Sequence, residues 1–197
     1  MKISNKTLGI IAMICAPAFF VQTALDINRV AVNSPLGGIC GIIYMAGWMC
    51  NVIALKRMHT SRLRNKGIVF IVQLIFLSLA NVWNIWVAID ATNDTTLFHI
   101  LDMFWPLSNL CFFVTGMYIS VKGIFTGWHR YIVLIAGFWL PIMIVWMNVS
   151  GKTNVLLYTS AFYTFIVWML IRFMIYKISK EEEIIYEPVI YPLMMKA

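Results

Sequence analysis

The sequence predicts an all-α polytopic membrane protein with six transmembrane helices and both termini in the cytoplasm. Three observations lead to this prediction. Of the 197 residues, 61% are apolar and only 12% are charged; the mean hydropathy is +0.83; and the apolar residues fall in runs of about 20 residues. A soluble domain is about half apolar and about a quarter charged. The composition therefore excludes a soluble globular domain, a disordered chain and a disulfide-stapled secreted module.

Six apolar runs are long enough to cross a bilayer, because a helix rises about 1.5 Å per residue and a hydrocarbon core is about 30 Å thick. The predicted spans are 8–25, 36–55, 67–89, 100–121, 131–149 and 154–176. Pro106 and Pro141 lie inside the fourth and fifth spans, where proline removes a helical hydrogen bond and bends the helix. The sequence thus divides into a six-helix bundle over 1–179 and a cytoplasmic, apolar, proline-containing tail over 180–197.

Basic residues set the predicted orientation, since they collect on the cytoplasmic side of membrane proteins. Thirteen of the fifteen Lys and Arg residues fall near the termini, in 56–66, in 122–130 or near the end of the sixth span. Only Arg29 and Lys152 fall on the other side. This asymmetry accounts for the net charge of +7, so we expect no nucleic-acid partner and a lipid bilayer around the chain.

Residues that support familiar enzyme chemistry are absent or poorly placed. All four cysteines lie in apolar spans without a C-x-x-C pair, and His59, His99 and His129 lie in loops or at span ends. Neither a G-x-S-x-G motif nor a glycine-rich phosphate loop occurs. We therefore expect no catalytic residue, no metal site and no cofactor. An intramembrane enzyme is the least favoured interpretation.

Polar residues inside a membrane are costly, so their positions carry information. On the third span a single helical face carries Gln73, Leu77, Asn81, Asn84 and Ala88. On the fourth span a single face carries Asp102, Trp105, Asn109, Phe112 and Gly116. A short loop joins the two spans, so the polar faces are expected to meet in the outer half of the bundle.

These faces predict an outward-open pocket for a small polar or cationic ligand. The residues predicted to bind the ligand are Asn81, Asn84, Asp102, Trp105 and Asn109, with Gln22 and Asp26 at the rim. Asp102 supplies negative charge, and tryptophan rings attract cations through their faces. The alternative is that the asparagines hydrogen-bond across helices and only hold the bundle together, that Asp102 is solvated near the interface, and that tryptophans at the span ends form an interfacial belt. The sequence leaves both interpretations open. It also leaves open whether the protein only binds the ligand or translocates it across the membrane.

A second hypothesis is a non-catalytic accessory or assembly subunit of a larger membrane complex. Gly37 and Gly41 form a G-x-x-x-G motif on the second span, which permits close approach of a helix from this chain or from a partner. The tail is too apolar to be freely solvated, which indicates that it docks on a surface. Homo- or hetero-oligomerisation through the second span or the tail is therefore possible.

The size and charge asymmetry favour a bacterial inner (plasma) membrane. Asn93 and Thr95, however, frame an acceptor sequence for a glycan in a eukaryotic secretory pathway. The sequence does not decide between these compartments.

Overall fold

The computed structural model describes residues 3–28, 34–63, 67–92, 94–123 and 125–186, with the side chains at 26, 59–63 and 180–186 excepted. The described residues are 87% helical and contain no strand. The helices are α1 (Asn5–Cys15), α2 (Pro17–Ile27), α3 (Pro35–Leu63), α4 (Ile68–Ile89), α5 (Thr96–Asp102), α6 (Phe104–Lys122), α7 (His129–Gly137), α8 (Trp139–Ser150) and α9 (Asn154–Tyr186).

Within these residues, six helical segments are long and apolar enough to cross a membrane. They are Asn5–Leu25, Pro35–Met58, Ile68–Ile89, Thr96–Lys122, His129–Ser150 and Asn154–Ser179. The prediction of an all-α protein with six spans is confirmed, and the chain is an integral membrane protein. Which membrane it occupies, and which side its termini face, stay predictions.

Three of the six spans are interrupted close to a proline. The first span breaks at Ala16 before Pro17, the fourth at Met103, and the fifth at Phe138. Proline lacks the N–H that would bond to the carbonyl four residues earlier, and its ring crowds that carbonyl. Pro106 and Pro141 each lie three residues beyond a break, so the fourth and fifth spans are interrupted where a proline removes a helical hydrogen bond.

The six spans form a closed ring in chain order. Each span packs against the next one, and α9 packs against α1 and α2. Close approaches show that neighbours are antiparallel: Gly41 faces Asn84, and Gly137 faces Phe113. One end of the ring carries the ends of α2, α4 and α8 and the beginnings of α3, α5 and α9. We call this the cavity end. The other end, at which α1 begins, we call the basic end.

Large aromatic rings fill the centre of the ring of helices. Tyr44 and Trp48 of α3 contact Trp168 of α9 with ring centroids 6.1 and 6.0 Å apart. Trp48 also contacts Phe112 of α6, at 5.9 Å. A buried hydrogen bond from Trp139 Nε1 to Ser160 Oγ, 2.8 Å long, joins the fifth span to the sixth. The centre is therefore packed and is not an open pore.

The outward-facing surface of the spans is apolar. Ile14, Val121 and Val149 are exposed, as are many other large hydrophobic residues on every span. In water such a surface would be strongly unfavourable, whereas in lipid it costs little. The exposed surface therefore supports a lipid bilayer around the bundle.

The sixth span continues as one helix well beyond the membrane-length segment. α9 ends at Tyr186, so residues 180–186 of the predicted tail are helical and extend the bundle. The rest of that tail, 187–197, lies outside the described residues.

Candidate functional site

A cavity of about 200 Å³ lies at the cavity end, between the first four spans. By a comparable measure a single water molecule needs about 10–15 Å³. Pockets for drug-sized ligands measure about 300–1,000 Å³, so this cavity suits a smaller molecule. Its lining residues are Phe19, Gln22, Gly41, Tyr44, Met45, Ala80, Trp83, Asn84, Asp102 and Trp105.

One wall of the cavity depends on the close packing of α3 against α4, an interface that we call the α3–α4 seam. A Cβ atom on Gly38 would lie 2.5 Å from the backbone nitrogen of Ala88, so the two backbones touch there. A Cβ atom on Gly41 would lie 2.1 Å from Oδ1 of Asn84. The Asn84 amide therefore occupies the space that a side chain at position 41 would need, beside the cavity.

Asp102 supplies the only acidic group among the described lining residues, which include no basic group. It lies at the end of α5, directly before the break at Met103. Pro106 cannot donate to the Asp102 carbonyl, which explains why the helix is interrupted here. The neighbouring acid, Asp94, accepts a 2.6 Å hydrogen bond from His99, and no ion pair between described residues involves Asp102.

Aromatic rings form most of the remaining wall. Phe19 stacks on Tyr44 with centroids 4.9 Å apart, and Trp105 meets Trp139 edge to face at 5.0 Å. Trp83 packs against Phe98, which holds its ring beside the cavity. Asp102, an exposed residue, thus shares the cavity lining with several aromatic rings, whose faces carry partial negative charge and attract cations.

A second, smaller space of about 30 Å³ lies deeper, beyond Tyr44. Tyr44 lines both spaces, whereas Asn109 and Trp48 line only the deeper one. Asn109 donates a 3.0 Å hydrogen bond to the Trp105 carbonyl of its own helix. Tyr44 thus separates the outer cavity from the centre of the bundle.

The residues predicted to bind a ligand are therefore distributed over several places. Four of them line the outer cavity: Gln22, Asn84, Asp102 and Trp105. Asn109 lines the deeper space, and Asn81 is half-buried beside α3 and lines neither. The side chain of Asp26 lies outside the described residues.

The three asparagines do not form the hydrogen bonds between helices that would be expected if they only held the bundle together. Asn109 bonds within its own helix. Nδ2 of Asn84 and Oδ1 of Asn81 are buried without a hydrogen-bond partner. Among the described residues, none of the three makes a side-chain hydrogen bond to another helix, so their polarity is not used for helix–helix bonding.

Sequence reasoning missed Phe19, Tyr44 and Met45 as lining residues. Tyr44 shares a helical face with Gly41, and that face indicated helix packing alone. In the structure Gly41 packs against α4 of the same chain. Gly37 is buried, and its N–H donates to Ser34 Oγ at 3.0 Å. For Phe19, an apolar residue in an apolar run, the sequence held no signal.

A larger hollow of about 600 Å³ lies along α8, open to the outside of the bundle. It is lined almost entirely by apolar groups, including Pro141, Ile142 and Val145. Because it belongs to the lipid-facing surface and has no charged lining residue, it is not a candidate for a polar ligand. The described residues also contain no group of three or more His, Cys, Asp or Glu side chains that could hold a metal ion.

Comparison of the chain with models of protein families, with curated proteins and with solved structures finds no match.

Proposed function

We propose that this protein binds a small organic cation in the outer cavity. The observation that carries the proposal is that Asp102, an exposed acidic residue, lines a small cavity together with Phe19, Tyr44, Trp83 and Trp105. A cation at this site would gain from the carboxylate and from the ring faces together. Gln22 and Asn84 provide amide groups that orient the ligand. Neutral polar solutes of the same size would gain less, because only the amides would bind them.

The proposal includes an orientation. The described basic side chains Lys6, Lys56, Lys122 and Lys177 lie at the end opposite to the cavity. By the positive-inside rule that end faces the cytoplasm, with both termini, and the cavity opens outward. The charge asymmetry and the size favour a bacterial inner membrane. In such a membrane the ligand would come from outside the cell.

The accessory-subunit hypothesis has less support. It relied on Gly37 and Gly41 as a contact for another chain and on the apolar tail. Gly41, however, contacts Asn84 within the chain, and 187–197 lies outside the described residues. We therefore retain the cation site as the proposed function.

The test is equilibrium binding of choline to the purified protein in lipid nanodiscs, measured by isothermal titration calorimetry. Choline is the probe because its quaternary ammonium group suits aromatic walls, and 3,3-dimethylbutan-1-ol is its neutral counterpart. The Asp102→Asn variant should bind choline about tenfold more weakly, which corresponds to about 1.4 kcal/mol. Binding of the neutral alcohol, which is weaker from the start, should not change.

Asp94→Asn is the matched control, since Asp94 is an exposed carboxylate in the adjoining segment and does not line the cavity. It removes the same charge at nearly the same end of the bundle. Equal losses in both variants would mean that only the general surface charge matters. Unchanged choline binding in Asp102→Asn would refute the cation site.

A further inference from the structure

Buried polar atoms without hydrogen-bond partners are concentrated on α3 and α4, the two helices of the seam. Asn51 on α3 and Gln73 on α4 are both fully buried, at 0% exposure. Neither the amide oxygen nor the amide nitrogen of either residue has a hydrogen-bond partner. Trp48 Nε1, also buried on α3, has none either.

The two amides lie at the same depth. Asn51 is ten residues along α3 from Gly41, and Gln73 is eleven residues back along α4 from Asn84. Because Gly41 and Asn84 face each other on antiparallel helices, and a helix rises about 1.5 Å per residue, both amides lie about 15–17 Å from that contact. They therefore lie at a similar depth, on the basic side of the cavity.

Two buried amides without hydrogen-bond partners would lower the stability of the protein if their role were only to hold two helices together. Each buried polar group without a partner costs about 1–3 kcal/mol. Helix-bonding amides recover that cost by hydrogen-bonding one another, which Asn51 and Gln73 do not do. Polar residues inside transmembrane segments commonly line the routes of polar solutes, and these two amides are candidates for such a route.

The amides are in line with the cavity but separated from it. Tyr44 and Ala80 line the cavity, and each lies seven residues, or about 10 Å of helix, from the corresponding amide. Between these levels lie Trp48 and the fully buried Leu77. The structure is thus a conformation that is open at the cavity end and closed at Trp48 and Leu77.

We propose that Asn51 and Gln73 form a second polar site, through which the cation bound in the outer cavity crosses the membrane along the α3–α4 seam. This inference rests on the proposed function, since the same cation occupies both sites in turn. It makes the protein a transporter of small organic cations, with Asn51 and Gln73 replacing part of the hydration of the cation at mid-route. The two amides provide carbonyl oxygens for that purpose, and Trp48 and Leu77 close the route between the sites.

The experiment measures binding and flux separately in the same variants. The Asn51→Leu/Gln73→Leu double variant removes the amides while keeping side chains of similar size. We expect its choline affinity in nanodiscs to stay within about twofold of wild type, since neither residue lines the outer cavity. Uptake of labelled choline into proteoliposomes should fall at least about tenfold, because a higher barrier of about 1.4 kcal/mol has that effect.

Thr115→Val is the matched control. Thr115 is also fully buried in the membrane, but its hydroxyl donates to the Cys111 carbonyl of its own helix, 2.8 Å away. This variant makes a buried polar residue apolar outside the seam and should keep wild-type flux. If the double variant transports choline at the wild-type rate, the second site is refuted. If wild-type protein binds choline without transporting it, the route is refuted and the cation site stands; if it does neither, both proposals fail.

A second measurement does not depend on the folding of the leucine variant. In protein whose four cysteines are replaced by alanine, the Gln73→Cys variant is treated with a trimethylammonium-ethyl methanethiosulfonate reagent. A polar route predicts that this cationic reagent labels position 73 and that choline slows the labelling. No labelling of position 73 under conditions that label an exposed Thr126→Cys control would overturn the proposal.

Discussion

The two ends of the α3–α4 seam each hold a side-chain amide, one beside a cavity and the other fully enclosed. Asn84 lies beside the outer cavity, whereas Gln73, on the same face of α4, is enclosed on every side. The difference comes from the residues opposite. Asn84 faces Gly41, which has no side chain, whereas the level of Gln73 on α3 holds Asn51 between the buried Trp48 and Leu55. Space left by the partner helix, and not the amide itself, decides whether a polar residue lines a cavity.

Substitution of the glycines in the seam is expected to have the largest effect on the stability of the protein. Gly38→Ala would place a methyl group 2.5 Å from the Ala88 backbone nitrogen and 2.7 Å from the Asn84 carbonyl oxygen. Backbone cannot move aside cheaply, so we expect the free energy of unfolding to fall by about 2–3 kcal/mol. Titration of the purified protein with a denaturing detergent would measure this loss. A variant as stable as wild type would show that the helices are not in backbone contact.

Gly41→Ala should affect the site more than the fold. The added methyl group would lie 2.1 Å from Oδ1 and 2.6 Å from Cγ of Asn84, so the whole Asn84 side chain, and no backbone, has to move. We expect a stability loss of about 1–2 kcal/mol and choline binding about three- to tenfold weaker, because the amide is pushed from its place beside the cavity. Both quantities are available from the titrations described above.

Gly9→Ala is the control for this variant, since its methyl group would meet the flexible Arg172 side chain at 3.1 Å, far from the cavity. It should leave choline binding unchanged. Equal losses of binding in Gly9→Ala and Gly41→Ala would show that the effect is transmitted through general stability and not through Asn84.

Substitution of Asn81 is expected to have the smallest effect on binding, and it tests whether a residue of α4 has to line the cavity to matter. It lies one turn from Asn84 but does not line the outer cavity, and its Oδ1 is buried without a partner. Asn81→Leu should change choline affinity by less than about twofold, while Asn84→Leu should weaken it about tenfold. Stability of Asn81→Leu should stay equal or rise slightly, because an unsatisfied buried oxygen is removed. A large loss of binding in Asn81→Leu would place the ligand against a different face of α4 from the one that lines the cavity.

Prediction from sequence succeeded where the physics is local. A run of about 20 apolar residues has to form a helix in lipid, because no other structure satisfies its backbone within the segment. Pro106 and Pro141 interrupt their helices through the absence of their own N–H groups. Both effects depend only on residues close together in the chain, which explains why the six spans and these proline sites were predictable.

The candidate site was predictable only in part. Periodicity placed Asn84 and Asp102 on faces that meet, and both line the cavity. The same periodicity grouped Asn81 with Asn84. A helix turns by about 100° per residue, however, so the two side chains point in different directions, and Asn84 is the one that faces Gly41. Tyr44 and Phe19 look like ordinary apolar-span residues in the sequence, and only their position against the other helices makes them part of a wall.

The sequence by itself determined that this chain is a six-span helical membrane protein with nearly all its positive charge predicted on one side. Hydropathy and charge act on each segment separately, so they can be read without knowing which helices touch. The tertiary structure decided that the spans close into a ring, that the absence of a side chain at Gly41 makes room for the Asn84 amide, and that Asn51 and Gln73 come to a similar depth without a hydrogen bond. These features depend on the fit between side chains distant in sequence, which is settled only when the helices pack.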